Sequence, residues 1–377
     1  MQTAGIYIHI PFCRKKCIYC DFYSVPNANA RIQPFVNAIC SEIRQCKIDT
    51  SDWIFDTCFV GGGTPSLINA KQLEQILIAL ENRFNIRRFS EFTMEVNPGE
   101  ISENKLRDFR SLGVNRLSVG IQSLNPDELH FLSRIHSPKD ATQTVHSARK
   151  AGFENISCDL IYGIPGQTSE SWQYGLRSVI DLNPEHISAY ILTVEKNTPL
   201  YNLEKNKMIH LPSDSDVLEK FHLTNHTLSD AGYHRYEISN YAKPGKSCKH
   251  NLHYWKIEPY VGFGPSAHSF DGANRWANIS DLSTYIQNIA ENETIKSLQE
   301  QLTKVQQTNE MIGFGLRLAE GFETDLIPKS LSEQFQSSMK KADAKWLECL
   351  NISDERISLT EKGMTFADAI AVELILD

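Results

Sequence analysis

The sequence predicts an α/β fold whose core is a partial barrel of parallel strands, followed by a smaller, mostly helical C-terminal domain. Three observations predict it. Short apolar, β-branched runs recur; each leads into a stretch of helical periodicity; and their spacing is too uneven for a short-repeat solenoid. The runs are Gly5–Ile10, Asp56–Val60, Phe92–Val96, Arg116–Ile121, Asn155–Leu160 and His186–Leu192. They read as nearly continuous apolar segments, as parallel strands covered on both faces do. A full barrel needs eight such units. Six point to a three-quarter (βα)6 TIM-like barrel, with an open doubly wound sheet as the other arrangement of the same units.

The helices between the runs carry their own marks. Leu73, Ile76, Leu77, Leu80 and Phe84 share one helix face. Ser102 is placed to cap a helix bearing Leu106 and Phe109, with Gly113 as its stop. Ser137-Pro138 opens another, with Ala141, Val145 and Ala148 inward and Gly152 past its end. After about residue 211 the pattern changes to a helix bearing Val217, Leu218, Phe221 and Leu228, then to a turn-rich stretch from Tyr233 to Asn278. Helical periodicity dominates after Leu282, and the segment from Arg356 to Gly363 reads as a small hairpin before a last helix. The expected division is a barrel with its extension over 1–282, the barrel proper ending near 211, and a winged-helix-like domain over 283–377.

Composition excludes several function classes. A net charge of -8 and a pI near 5.9 lack the basic footprint of a nucleic-acid binder. The longest aliphatic run, Ile76 to Leu80, is far short of a membrane span. The N-terminal residues lack the basic-then-apolar pattern of a signal peptide, so a cytoplasmic protein with reduced thiols is expected. Of the nine cysteines, Cys40, Cys46, Cys58, Cys158 and Cys349 read as small buried residues.

Cys13, Cys17 and Cys20 are different. They follow the first strand and its proline at Cys-x3-Cys-x2-Cys spacing, so one loop can wrap three sulfurs around a soft metal centre. A structural zinc site prefers two pairs of ligands; Cys248 with His250 and His253, far along the chain, is the one conceivable second set. Three thiolates suit a [4Fe–4S] cluster with one iron left open. The Gly61-Gly-Gly-Thr64 turn after the second strand allows close approach of backbone to ligand but lacks the lysine of a phosphate-binding loop. Glu95, Gln122 and Asp159 stand at the C-terminal ends of the third, fourth and fifth strands, where barrels assemble their sites.

The cysteine loop resembles that of the radical S-adenosylmethionine (SAM) superfamily. The resemblance implies a [4Fe–4S] cluster on Cys13, Cys17 and Cys20, with the amino and carboxylate groups of SAM on the open iron. Over nearly the whole chain the motifs Tyr7-Ile-His-Ile-Pro-Phe-Cys13, Gly-Gly-Gly-Thr-Pro, Glu95-Val-Asn-Pro, Gly-Ile-Gln-Ser, Leu132-Ser-Arg-Ile-His136, Asp159-Leu-Ile-Tyr-Gly-Ile-Pro and Gly264-Pro-Ser-Ala-His-Ser269 are similar to those of the oxygen-independent coproporphyrinogen III dehydrogenase group. By that resemblance Tyr7, Gly62, Gly63, Thr64, Glu95, Gln122, Arg134 and Asp159 contact SAM, Arg134 through paired hydrogen bonds to its carboxylate. The dehydrogenase proper carries a fourth cysteine where this chain has Phe22. The Cys20-Asp-Phe22 ending and the His250-Asn-Leu-His-Tyr-Trp255 motif resemble instead the HemW subgroup of haem chaperones. That implies haem as cargo, with His250 as its axial ligand beside Tyr254, Trp255 and Tyr260, and an acceptor protein such as a respiratory complex. The alternative is radical decarboxylation of coproporphyrinogen III; the oligomeric state is left open.

Overall fold

The central strands alternate, with apolar side chains on one face and polar or aromatic ones on the other. This is visible in a computed structural model, which describes residues 1–86 and 88–377. Six strands, β1 (Gln2–Ile10), β2 (Trp53–Gly62), β3 (Glu91–Val96), β4 (Arg116–Gln122), β5 (Ile156–Tyr162) and β6 (His186–Ile191), lie side by side and parallel. Ile6 and Ile8 of β1, Leu117 and Val119 of β4, and Cys158 and Leu160 of β5 face the helical layer and form the main core. The other faces carry Tyr7, Phe59, Glu95, Arg116, Ser118, Asp159, His186 and Ser188, which all line one cavity. Side chains from β1 and β6 meet in the same cavity because the sheet is curled. The runs expected to be continuously apolar are therefore two-faced strands of an open barrel.

Each strand feeds the helices that cover it: α1 (Ile32–Gln45), α2 (Ala70–Phe84), α3 (Glu103–Ser111), α4 (Pro126–Phe131) with α5 (Pro138–Lys150), α6 (Ser169–Asp181), and α7 (Pro199–Lys205) with α8 (Asp214–Asp230). The expected caps are in place. Ser102 accepts from the Lys105 amide, and Ser137 forms a capping box with Asp140. The α1, α2, α5 and α6 faces that carry Phe35, Ile39, Leu73, Ile76, Val145, Leu176 and Val179 are buried against the sheet.

The sheet runs past the six strands on both sides to a total of twelve. On one side, β8 (Asn240–Ala242) pairs antiparallel with β6, and β7 (His234–Glu237) pairs antiparallel with β8 at the edge. On the other, β9 (Tyr260–Phe263) lies parallel to β1 and is followed by the antiparallel β10 (His268–Phe270), β11 (Asn274–Asn278) and β12 (Lys296–Gln301). Between the two flanks the short helix α9 (Lys249–Trp255) enters the base of the barrel. The helix α10 (Leu282–Glu291) packs on α1, with Tyr285 donating to Glu42 at 2.5 Å. The chain thus stays with the barrel beyond the boundary expected near residue 282, and we propose the division at the turn after β12. A second core follows, in which α11 (Lys304–Gly315), α12 (Ser332–Lys345), α13 (Glu361–Met364) and α14 (Ala367–Glu373) pack around Ile312, Phe322, Phe335 and Ile370. It is completed by a small sheet of β13 (Phe322–Glu323), β14 (Leu350–Ile352) and β15 (Arg356–Leu359), so the hairpin begins a few residues before the expected one. Among the described residues no helix is long and apolar enough to cross a membrane.

Ile8 is fully buried at the centre of the sheet, so Ile8→Ala should cost about 2–5 kcal/mol of stability, read as a lowered urea midpoint with unchanged slope.

Candidate functional site

At the C-terminal ends of the strands the barrel opens into a cavity of about 650 Å³. Cys13, Cys17 and Cys20 all line it, on the loop that follows β1. The turn after β2 clamps that loop. The Gly63 amide donates to Ile10 O at 2.8 Å and the Thr64 amide to Phe12 O at 2.6 Å. A Cβ on Gly63 would stand 2.5 Å from Phe12 O and 3.0 Å from the Cys13 sulfur, so only glycine lets the two strands of backbone touch. Thr64 Oγ1 donates to Cys13 Sγ at 3.7 Å, and Arg134 Nη1 to Cys17 Sγ at the same distance. Burial pushes the Cys13 thiol up and the Cys20 thiol up to about 11. Among the described residues no three Cys, His, Asp or Glu converge as the ligands of a single ion would.

Above the loop lies a set of polar groups drawn from successive strands. Arg134, from the turn after α4, gives Nη2 to Asn97 Oδ1 at 2.7 Å and to Gly120 O at 2.8 Å, while its buried Nε has no partner. Asn97 passes the contact on to Thr64 Oγ1 at 2.8 Å. Glu95 accepts the Gly62 amide at 3.1 Å; burial, and then the nearby Asp159, push its carboxyl up to about 8. Asp159 lies in mid-strand rather than at the strand end, and accepts hydroxyls from Ser118 at 2.5 Å, Ser157 at 2.8 Å and Ser188 at 2.7 Å. Tyr7 shares a hydrogen bond with His9 at 3.0 Å, and burial raises its phenol well above the usual range. Gln122 stands at φ +64°, beside a register shift between β4 and β5, and such a left-handed non-glycine backbone costs on the order of 1 kcal/mol. All eight expected contact residues thus face one cavity. Sequence reading missed Asn97, Ser118 and Ser188; the strict alternation of Arg-Leu-Ser-Val-Gly-Ile-Gln in β4 was the signal for Ser118.

The floor of the cavity is α9, and here an expectation fails. His250 is fully buried, with Nδ1 paired to Thr57 Oγ1 at 2.9 Å and Nε2 to the Tyr254 hydroxyl at 2.8 Å. Its ring stacks on Phe59 at 5.3 Å, and a Cβ on Gly5 would stand only 2.9 Å from it. Burial holds its pKa well below the usual histidine value, so the ring is neutral. Neither nitrogen is open to haem iron, and His250 as axial ligand does not fit these surroundings. His253 is equally committed, bonded to Asp56 at 2.8 Å and to Glu258. Cys248 donates to Glu91 at 3.4 Å. Trp255 turns away to pack on Phe314 of α11, with Arg317 above its ring.

Two pH dependences follow. His253 is raised from 6.5 to about 9 because its hydrogen bonds and ion pairs with Asp56 and Glu258 outweigh burial. Its contribution to stability is present below pH 6.5 and lost as pH rises through 9, so His253→Gln should flatten that decline in a melting series. Glu95 shows the opposite logic. Between its ordinary value of 4.5 and 8 the fold withholds ionisation that the unfolded chain gains, so stability falls as pH rises across that window. Glu95→Gln should therefore melt higher than the parent at pH 8, with a smaller difference at pH 5.

Comparison with known proteins agrees with this architecture. The profile of the radical SAM superfamily matches residues 7–176, and that of the HemN C-terminal domain matches residues 302–366. The heme chaperone HemW of Bacillus subtilis (strain 168) is 35% identical over 369 residues, covering 97% of both chains. The heme chaperone HemW of Escherichia coli (strain K12) is 38% identical over 279 residues, covering 71% of this chain and 70% of that one. In fold, coproporphyrinogen III oxidase (HemN) from Escherichia coli, a radical SAM enzyme, superposes with a TM-score of 0.85 at 23% identity, covering 99% of this chain and 90% of that chain. The chain belongs to the radical SAM superfamily and, within it, to the HemW family.

Proposed function

We propose that this protein is a haem chaperone: it takes haem as cargo and passes it to an acceptor protein, on a scaffold that holds a [4Fe–4S] cluster and SAM. The observation that carries this reading is kinship over 97% of the chain with a relative named for that activity. Membership of the radical SAM superfamily implies the cluster and SAM themselves. The residues at the mouth fit both. Three thiols share one loop, which matches a cluster with one iron left for a chelating ligand. The unpartnered, buried Nε of Arg134 fits a carboxylate that would complete a paired hydrogen bond.

In this reading Cys13, Cys17 and Cys20 bind the cluster, which supplies one-electron chemistry. Arg134 orients the SAM carboxylate and Glu95 accepts its ammonium group. Gly62, Gly63 and Thr64 offer backbone at close range, and Tyr7, Gln122 and Asp159 supply the remaining polar contacts. His250 belongs to the scaffold beneath them rather than to haem iron. Phe22, which stands where the dehydrogenases carry a further cysteine, is 63% exposed at the mouth. It offers apolar surface in place of a thiol, which favours carrying a macrocycle over decarboxylating one. A cytoplasmic chaperone that meets a respiratory complex at the membrane surface fits a chain in which no described helix can span the bilayer.

Two assays on the cluster-loaded protein test this reading. Titration with ferric haem should give saturable binding, and anaerobic incubation with coproporphyrinogen III, SAM and a reductant should give no protoporphyrinogen IX. Turnover without haem uptake would establish the dehydrogenase instead. Cys17→Ala should abolish the cluster absorbance while the protein still folds, because Cys17 is only half-buried.

A further inference from the structure

Asn97 lies one residue past β3, where Asn97-Pro98-Gly99-Glu100 closes a turn. The Glu100 amide donates to Asn97 O at 3.3 Å, and Gly99 takes the left-handed backbone, φ +74°, that the third position of such a turn requires. The turn brings the two side chains together at the lining of the cavity, and both ends of the Asn97 amide are used. Oδ1 accepts Arg134 Nη2 at 2.7 Å, while Nδ2 donates to Glu100 Oε2 at 2.9 Å and to Thr64 Oγ1 at 2.8 Å. A guanidinium can only donate, so the amide cannot be turned over. Glu100 is fixed in its turn: its side chain is 3% exposed, and Arg14 of the cysteine loop stands 3.3 Å from its other oxygen.

The direction of these hydrogen bonds carries through to the sulfurs. Thr64 Oγ1 receives an N–H from Asn97, so its own hydrogen is left for Cys13 Sγ at 3.7 Å. Arg134 Nη2 is held by Asn97 and Gly120 O, which turns Nη1 toward Cys17 Sγ, also at 3.7 Å. Ser24 stands beside the first sulfur and Tyr19 beside the second. Among the described residues, however, only Asn97 is hydrogen-bonded to both Thr64 and Arg134. One amide therefore aims donors at two of the three cysteine sulfurs, and one of those donors is the guanidinium whose Nε lacks a partner. Hydrogen bonds to the sulfurs of an iron–sulfur cluster favour its reduced form and so raise its potential, and the groups that orient such donors tune the centre from outside its ligand set.

We propose that Asn97 is a positioning residue with two effects: through Thr64 it raises the reduction potential of the cluster, and through Arg134 it strengthens the binding of SAM. The inference rests on the cluster and SAM of the proposed function and adds the group that joins them.

The test uses the full chain, reconstituted anaerobically with iron and sulfide. A redox titration followed by the EPR signal of the reduced cluster gives the midpoint, and equilibrium dialysis against the oxidised cluster gives SAM affinity without any reaction. Asn97→Ala should lower the midpoint and weaken SAM by about tenfold. Thr64→Val removes only the donor to Cys13, so it should lower the midpoint and weaken SAM less than Asn97→Ala does. Asn97→Asp keeps an acceptor for Arg134 but loses the N–H donors, so it should recover SAM affinity without recovering the midpoint. A purely structural role for Asn97 would reduce cluster content and melting temperature and leave the midpoint of the remaining cluster unmoved. Variants with the parent's midpoint therefore overturn the inference, as does an Asn97→Ala protein with the parent's SAM affinity. If Asn97→Ala assembles no cluster, the midpoint of Thr64→Val decides. A parent that takes up no cluster defeats the cluster reading itself, a result distinct from a parent and variants that share one midpoint.

Discussion

Glu91, at the start of β3, holds α9 inside the barrel, and the geometry of the cavity depends on it. Its carboxylate accepts the Cys248 thiol at 3.4 Å and the Lys249 and His250 amides at 3.0 Å each. These are donors at the N-terminal end of α9, where a carboxylate is also favoured by the helix dipole. Once held there, α9 presents His250 to Thr57 and Phe59, and Tyr254 to His250. Imidazole and aromatic rings then close the base, while the opposite end stays open beside the cysteine loop. A barrel with a polar lining could not remain dry and ordered at its base without such partners.

The lining also separates two kinds of buried charge. Asp159 is surrounded by three serine hydroxyls. Glu95, with a single amide donor, is held toward its protonated form. Arg134 donates to Asn97, Gly120 and Cys17 and leaves its buried Nε–H without a partner. Such incomplete pairing is costly in an ordinary core and is expected where a ligand completes the set. The stability withheld by Glu95 is therefore coupled to the same position that serves SAM in the proposed function.

Much of this was legible in the sequence. The βα alternation, the helix caps at Ser102 and Ser137, and the cysteine loop rest on local patterns, which the fold preserves. What was not legible depends on residues far apart in the chain. His250 reads as a ligand beside tyrosine and tryptophan, yet its partners Thr57, Phe59 and Gly5 come from the first two strands, at the far end of the chain. The parallel strand β9 lies within the stretch that reads as turn-rich and pairs with β1, a contact no local pattern announces. The extension of the sheet through β12 was hidden because Lys296–Gln301 is exposed throughout and polar except for Leu298, unlike any buried strand. Asn97 was overlooked although it sits in Glu95-Val-Asn-Pro98, because its role is to join Arg134 to Thr64 across two turns.

In the proposed function, haem is carried and handed on rather than chemically altered. The most direct measurement is transfer of haem from the loaded, cluster-containing protein to membranes whose respiratory complexes have been prepared without haem. The account predicts that the protein's Soret absorbance falls as haem spectra appear in the membrane fraction, with the porphyrin intact. Haem that stays on the protein, or membranes that gain none, would contradict it.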